Sequence, residues 1–214
     1  MATLKNIEFV TTVAATCNLP PPCGAEVAFV GRSNAGKSSA INALAQRKRM
    51  AFVSKTPGRT QHINFFRVGT EQYLVDLPGY GYAAVPAAAR AHWNELIGSY
   101  IQSRPSLRGI ILIMDARRPM TVLDEELFAW VKPTGTPIHI LLSKADKLTR
   151  RQADETLRRV DHVLHANYGN CSVQLFSSPK KTGIPEAAEI IRNWLDHDDN
   201  KQPPVKGNKP GAKP

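Results

Sequence analysis

Three short runs of this chain are apolar almost without interruption, residues 25–30 (AEVAFV), 109–115 (GIILIMD) and 138–142 (IHILL), and two more polar ones, 71–76 (EQYLVD) and 172–176 (SVQLF), also read as strands. Runs that do not alternate predict strands covered on both faces, as in a parallel sheet. Residues 61–68 read as a further strand. Gly69-Thr70 would turn it into 71–76 as an antiparallel hairpin. Between the runs, apolar residues recur at helical spacing. One helix is predicted over 39–45. Another starts at Pro86 and keeps Trp93, Leu96, Ile97, Tyr100 and Ile101 on one stripe, so Trp93 reads as core. Thr121 would cap a helix through Leu127, Phe128 and Val131, and 149–168 forms a long helix. Thr182 would cap a last one through Ile190, Ile191, Trp194 and Leu195. His139, alone inside a strand, reads as a hydrogen-bonded core or edge histidine. Strand and helix alternate, which predicts an α/β fold. Its mostly parallel central sheet would have about six strands, one antiparallel edge pair, and helices on both faces.

The ends read differently. Residues 1–23 form an arm or connector. Within it, 7–11 is either a short edge strand or a packed arm, and Leu19-Pro20-Pro21-Pro22 cannot continue a ladder or a helix. The globular domain should span 24–196. The tail, 197–214, carries four lysines among Pro, Gly, Asn and Gln, and is expected to be disordered. No apolar run approaches the ~20 residues of a membrane span. No signal peptide or lipidation motif stands out, so no stable membrane association is expected. Three cysteines without metal-type spacing suit a reducing cytoplasm. The net charge of +10 attracts polyanions, with RNA, DNA and an anionic membrane face as candidates. The arginines of 149–168 read as a solvated face. A monomer is expected.

The chemistry sits where predicted strands end. Gly31-Arg32-Ser33-Asn34-Ala35-Gly36-Lys37-Ser38 fits G-x4-G-K-[ST], between a strand and a helix. Its glycines let backbone N–H groups close around phosphates, Lys37 can reach the β- and γ-phosphates, and the Ser38 hydroxyl can ligate Mg²⁺. This makes the domain a P-loop NTPase. In the loop after the first helix, Pro57-Gly58-Arg59-Thr60 marks a turn. Thr60 is the candidate for a γ-phosphate-dependent Mg²⁺ ligand, with Thr56 second. Asp76-Leu77-Pro78-Gly79 matches D-x-x-G at a strand's C-terminal end, where ligands of open α/β sheets gather. Asp76 would hold Mg²⁺ through water, and the Gly79 N–H would meet the γ-phosphate. Ser143-Lys144-Ala145-Asp146 ends another strand. Its carboxylate can accept from guanine N1–H and the exocyclic amine, donors that adenine lacks there. Phe176-Ser177-Ser178 follows the last strand, where a backbone N–H could meet guanine O6.

In order, GRSNAGKS, Thr60, DLPG, SKAD and FSS resemble the translation-factor-like GTPases. KTPGRTQ, DLPGYGYA, LLSKADKL and FSSPKKTG are similar to the EngB/YihA ribosome-biogenesis GTPases, from about residue 7 to 196. The resemblance implies a G domain that binds GTP and GDP with Mg²⁺. It implies binding to the large ribosomal subunit and its rRNA late in assembly, with a link to cell division and septation downstream of ribosome supply. Ser143 departs from the usual Asn or Thr but keeps a hydroxyl. Tyr80 stands where Ras-like enzymes place a water-orienting glutamine, so slow hydrolysis, stimulated by a partner or ion, is expected. In related GTPases an asparagine at the position of Asn34 bridges K⁺ to the phosphates. Lys37, Thr60 and Asn34 are therefore the candidates for catalysis. Segments 52–60 and 77–85 would order around the γ-phosphate. Two other readings remain. One is an ATP-dependent enzyme such as a small kinase, against which Asp146 stands. The other is a nucleotide-stabilised RNA-binding scaffold with little turnover.

Overall fold

In a computed structural model, residues 4, 7–47, 62–81 and 87–196 are described. The strands are β1 (Glu8–Val13), β2 (Ala25–Gly31), β3 (Ile63–Gly69), β4 (Gln72–Asp76), β5 (Leu107–Asp115), β6 (Ile138–Ser143) and β7 (Cys171–Leu175). They form one sheet in the order β1-β3-β4-β2-β5-β6-β7. The β2, β4, β5, β6 and β7 pairings are all parallel. The β3–β4 hairpin is antiparallel, as its Gly-Thr turn predicts. The sheet has seven strands among the described residues, not six, because the N-terminal segment supplies β1. β1 runs antiparallel to β3, pairing Val13 with Ile63, with a bulge between Phe9 and Thr11. The alternative of an edge strand at 7–11 is thus the one realised.

The helices are α1 (Lys37–Leu44), α2 (Ala87–Ser103), α3 (Val122–Val131), α4 (Arg150–Asn167) and α5 (Ile184–Asp196). Each parallel strand presents alternate residues to opposite faces. Ala28, Val30, Ile110, Leu112 and Met114 pack with Leu96, Ile97 and Tyr100 of α2, Leu127 and Phe128 of α3, and Val160 of α4. Val27, Phe29, Ile111 and Ile113 pack with Ile41 and Leu44 of α1 and Ile191 and Leu195 of α5. Both faces are dry, which accounts for the unbroken apolar runs. Trp93 lies where side chains are not described.

Two helix starts follow one device. Thr121 and Thr149 each form a capping box, with Asp124 and Gln152 respectively. The cap expected at Thr182 does not form. Thr182 exchanges two backbone hydrogen bonds with Ser177, both 3.1 Å, and α5 begins two residues later, after Gly183. Thr182 therefore closes the Ser177 loop instead.

At the N-terminal edge of the sheet, the buried Glu26 carboxylate accepts from Arg104, Tyr100 (2.6 Å) and Ser106 (2.8 Å). Arg104 also donates to the Pro20 carbonyl at 2.7 Å, tying the proline connector to β2 and α2. His139 bonds Ser172 and Gln174, both at 2.8 Å, and burial lowers its pKa. It is a satisfied core histidine, as read from the sequence. Cys17, Cys23 and Cys171 are free thiols. Among the described residues no helix is long and apolar enough to cross a membrane.

Candidate functional site

β2 lies between β4 and β5, so the chain leaves it in one direction and later returns on the other side. The crevice at that reversal is where open α/β sheets gather ligands. Residues 32–36 cross it. Gly31 abuts β5 so closely that a Cβ would sit 2.6 Å from the Ile113 carbonyl oxygen. Asn34 (φ 64°) and Gly36 (φ 104°) both lie in the left-handed region. Such turns aim successive N–H groups inward and make an anion-binding nest at the start of α1.

The D-x-x-G segment docks along this loop. Leu77 N–H donates to Phe29 O at 3.0 Å, Tyr80 N–H to Gly31 O at 3.3 Å, and Ser33 N–H to Tyr80 O at 2.8 Å. The Ser33 hydroxyl lies 3.5 Å from the Gly79 carbonyl. Lys37 and Asp76, both buried, form an ion pair between α1 and the end of β4. Ser38 sits one residue on, in the first turn of α1. The Ser38 hydroxyl and the Asp76 carboxylate offer oxygen only, the donor chemistry Mg²⁺ takes, so the residues present fit that ion.

The S-K-A-D turn is tied to the same loop. The Ser143 hydroxyl bonds the Ala35 carbonyl and lies 3.0 Å from Met114 O. This hydroxyl joins the two motifs directly. Lys144 (φ 59°) donates to the Asn34 carbonyl and, at 2.9 Å, to Asp115. Asp146 accepts from the Ser177 hydroxyl at 2.6 Å, and that bond lowers its pKa. The Phe176 carbonyl accepts from Ala145 N–H at 3.2 Å. The rings and chains of Phe176, Leu77 and Ala35 are buried, so these residues face a ligand with backbone alone. Ser177 N–H donates to the Thr182 carbonyl at 3.1 Å, so it is not open to a base.

Four of the five predicted motifs are therefore brought together at one crevice: 31–38, 76–79, 143–146 and 176–178. Gly58, Arg59, Thr60 and the runner-up Thr56 lie outside the described residues, as does 82–85. Sequence reasoning missed two participants. Asp115, passed over as a strand end, receives Arg117 and Lys144. Burial alone would raise its pKa, but those hydrogen bonds hold it well below the carboxylate range. Asp124 accepts the Tyr80 hydroxyl at 2.6 Å. An Asp following an apolar strand and an Asp three residues after a capping Thr were the available signals.

The family model described as 50S ribosome-binding GTPase matches residues 26–144. A probable GTP-binding protein EngB of Nitrosomonas europaea is 56% identical over 192 residues, covering 90% of this chain and 86% of that protein. One from Dechloromonas aromatica is 54% identical over 220 residues, covering 100% and 99%. The chain belongs to the EngB family of GTP-binding proteins. Solved structures agree on the fold. A crystal structure of a probable GTP-binding protein engB matches with TM-score 0.64 and 19% identity over 80% of this chain and 98% of that one. Era, solved with MgGDPNP and nucleotides 1506–1542 of 16S ribosomal RNA, matches with TM-score 0.65 and 21% identity over 83% and 58%. As an EngB-family P-loop GTPase domain, the chain binds guanine nucleotide, and the crevice just described is where its motifs converge.

Proposed function

We propose that this chain is a slow, Mg²⁺-dependent GTPase that works as a nucleotide-controlled switch on the large ribosomal subunit during its assembly. The observation that carries the reading is the joining of base and phosphate motifs through Ser143 and Lys144 to the carbonyls of Ala35 and Asn34. A ligand that fits must hold a guanine-like base and a phosphate chain at fixed separation. Asp146, fixed by Ser177, accepts from N1–H and the exocyclic amine, and adenine would leave that carboxylate unpaired. Ser178 N–H meets O6. The N–H groups of 32–38 cradle the phosphates, and Lys37 turns from Asp76 to the β- and γ-oxygens. Ser38, Asp76 through water, and Thr60 would hold Mg²⁺, which neutralises charge on the phosphates when bound. Gly58 and Arg59, next to Thr60 in the sequence, are the further nucleotide-binding candidates of that segment.

Slow turnover is supported by Tyr80. Its buried hydroxyl is held by Asp124, so the position after Gly79 offers no side chain to orient a water. The Asn34 side chain is exposed beside the phosphate nest and is the proposed K⁺ ligand. The +10 charge supports a ribosomal RNA partner, and the three free thiols suit a cytoplasmic place of work. A division phenotype would follow from ribosome supply. Phosphate release from GTP in K⁺ and in Na⁺, with and without large subunits, tests the enzymatic part. Turnover that rises in K⁺ and again with subunits is expected. Equal rates in both salts remove Asn34 from catalysis, and no phosphate release under any condition leaves a binding scaffold.

A further inference from the structure

Beside the outer edge of the phosphate loop lies an open cleft of about 670 Å³, between residues 32–35 and the turn from β5 to α3. Arg32, Arg117, Arg118 and Lys144 line it, with Asp115 and Asp124 as its acidic groups. Both carboxylates are already engaged. Asp115 holds Lys144 and, through two bonds of 2.7–2.9 Å, Arg117. Asp124 holds Tyr80 and the Thr121 cap. Arg118 and Arg32 are less well served. Arg118 is exposed, and among the described residues its guanidinium has no partner. Among the described residues the buried Arg32 Nε–H lacks an acceptor. Planar guanidinium forks match phosphate oxygens. The competing basic surface is weaker. Arg150, Arg151 and Arg158 on α4 share their groove with Asp154 and Glu155, and Arg151 is spent on Glu155 at 2.7 Å.

We propose that this cleft receives the phosphate backbone of RNA, a contact that rests on and deepens the ribosomal reading. It also gives that RNA a route to the nucleotide. Arg117 and Lys144 share Asp115, and Lys144 bonds the Asn34 carbonyl of the phosphate loop. A backbone phosphate that draws Arg117 away changes what holds Lys144 on that loop.

The test uses the full chain, Arg118→Glu and the milder Arg118→Gln, with Arg150→Glu on α4 as control. Binding of a fluorescently labelled RNA hairpin is measured across a salt series, alongside GDP affinity and pelleting with large ribosomal subunits. Wild-type affinity should fall with salt. Arg118→Glu should weaken hairpin binding about tenfold or more, and the salt slope should drop by about one in both Arg118 variants. GDP affinity should stay unchanged, as should hairpin binding by Arg150→Glu. Hairpin binding and slope unchanged in both Arg118 variants overturn the cleft. If wild type still pellets with subunits in that case, the ribosomal reading survives. If Arg118→Glu loses pelleting but not hairpin binding, the partner is protein and the RNA proposal falls. Hairpin binding lost in Arg118→Glu while wild type never pellets keeps the cleft and removes the ribosomal reading.

Discussion

Tyr80 donates its hydroxyl to Asp124 across 2.6 Å, joining the residue after the D-x-x-G glycine to the first turn of α3. Burial, and then the facing carboxylate, raise the phenol pKa, so it remains a donor. The other Asp124 oxygen accepts Thr121 N–H at 2.8 Å. The backbone of Tyr80 meanwhile braces Gly31 and Ser33. Tyr80→Phe removes only the hydroxyl. It should cost about 1.5–3 kcal/mol of stability, the range for bonds to charged groups. If the bond positions Gly79 for a γ-phosphate, the variant should also lose affinity for a non-hydrolysable GTP analogue several-fold more than for GDP. Titration with both nucleotides checks this, and equal losses would reduce Tyr80 to a structural role.

The Lys37–Asp76 pair makes a different prediction. Both groups are buried, with side-chain exposures of 9% and 5%. Asp76→Ala strands the lysine charge, a change that costs about 3–5 kcal/mol in buried pairs. Phosphates would restore a counter-charge. Thermal melts should therefore show a low midpoint for the variant alone and a larger gain on adding GDP than wild type shows. The same gain in both proteins would mean that Lys37 does not meet the phosphates.

Much of the site was legible because phosphate and guanine motifs are local in sequence and end apolar runs. What failed was long-range. β1 has only Val13 buried, with Phe9 and Val10 exposed, so its residues carry no core pattern. Its strand identity comes from pairing with β3, from Val13 with Ile63 to Glu8 with Arg67, far along the chain. Thr182 has the composition of a cap, but the loop it closes onto Ser177 decides its use. Asp115 and Asp124 act through Lys144 and Tyr80, partners that only the fold brings near.

Far from the crevice, Glu26→Ala should test a structural anchor. It leaves the Arg104 guanidinium and the Tyr100 hydroxyl buried without their acceptor. A loss of about 3–5 kcal/mol in denaturant unfolding is expected. GDP affinity of the folded protein should not change, since Glu26 begins β2 and the phosphate loop follows its end.

His139 sets a pH dependence. Its folded pKa lies below the ordinary 6.5 because burial disfavours the charged ring, although the Gln174 bond opposes this. The unfolded chain therefore takes up a proton first as pH falls. Stability from this group is complete above about 6.5. Below that it declines by at most about 1.4 kcal/mol per pH unit until the folded pKa is reached. Unfolding midpoints between pH 7 and pH 5 should show that slope in wild type and lose it in His139→Gln.

The proposed switch is one that the ribosome reads. The most direct measurement is co-sedimentation of the purified chain with large ribosomal subunits, with GDP and with a non-hydrolysable GTP analogue, over a salt series. Pelleting that depends on the analogue and weakens with salt is the predicted result. Equal pelleting with both nucleotides would contradict the switch, and no pelleting with either would contradict the ribosomal partner.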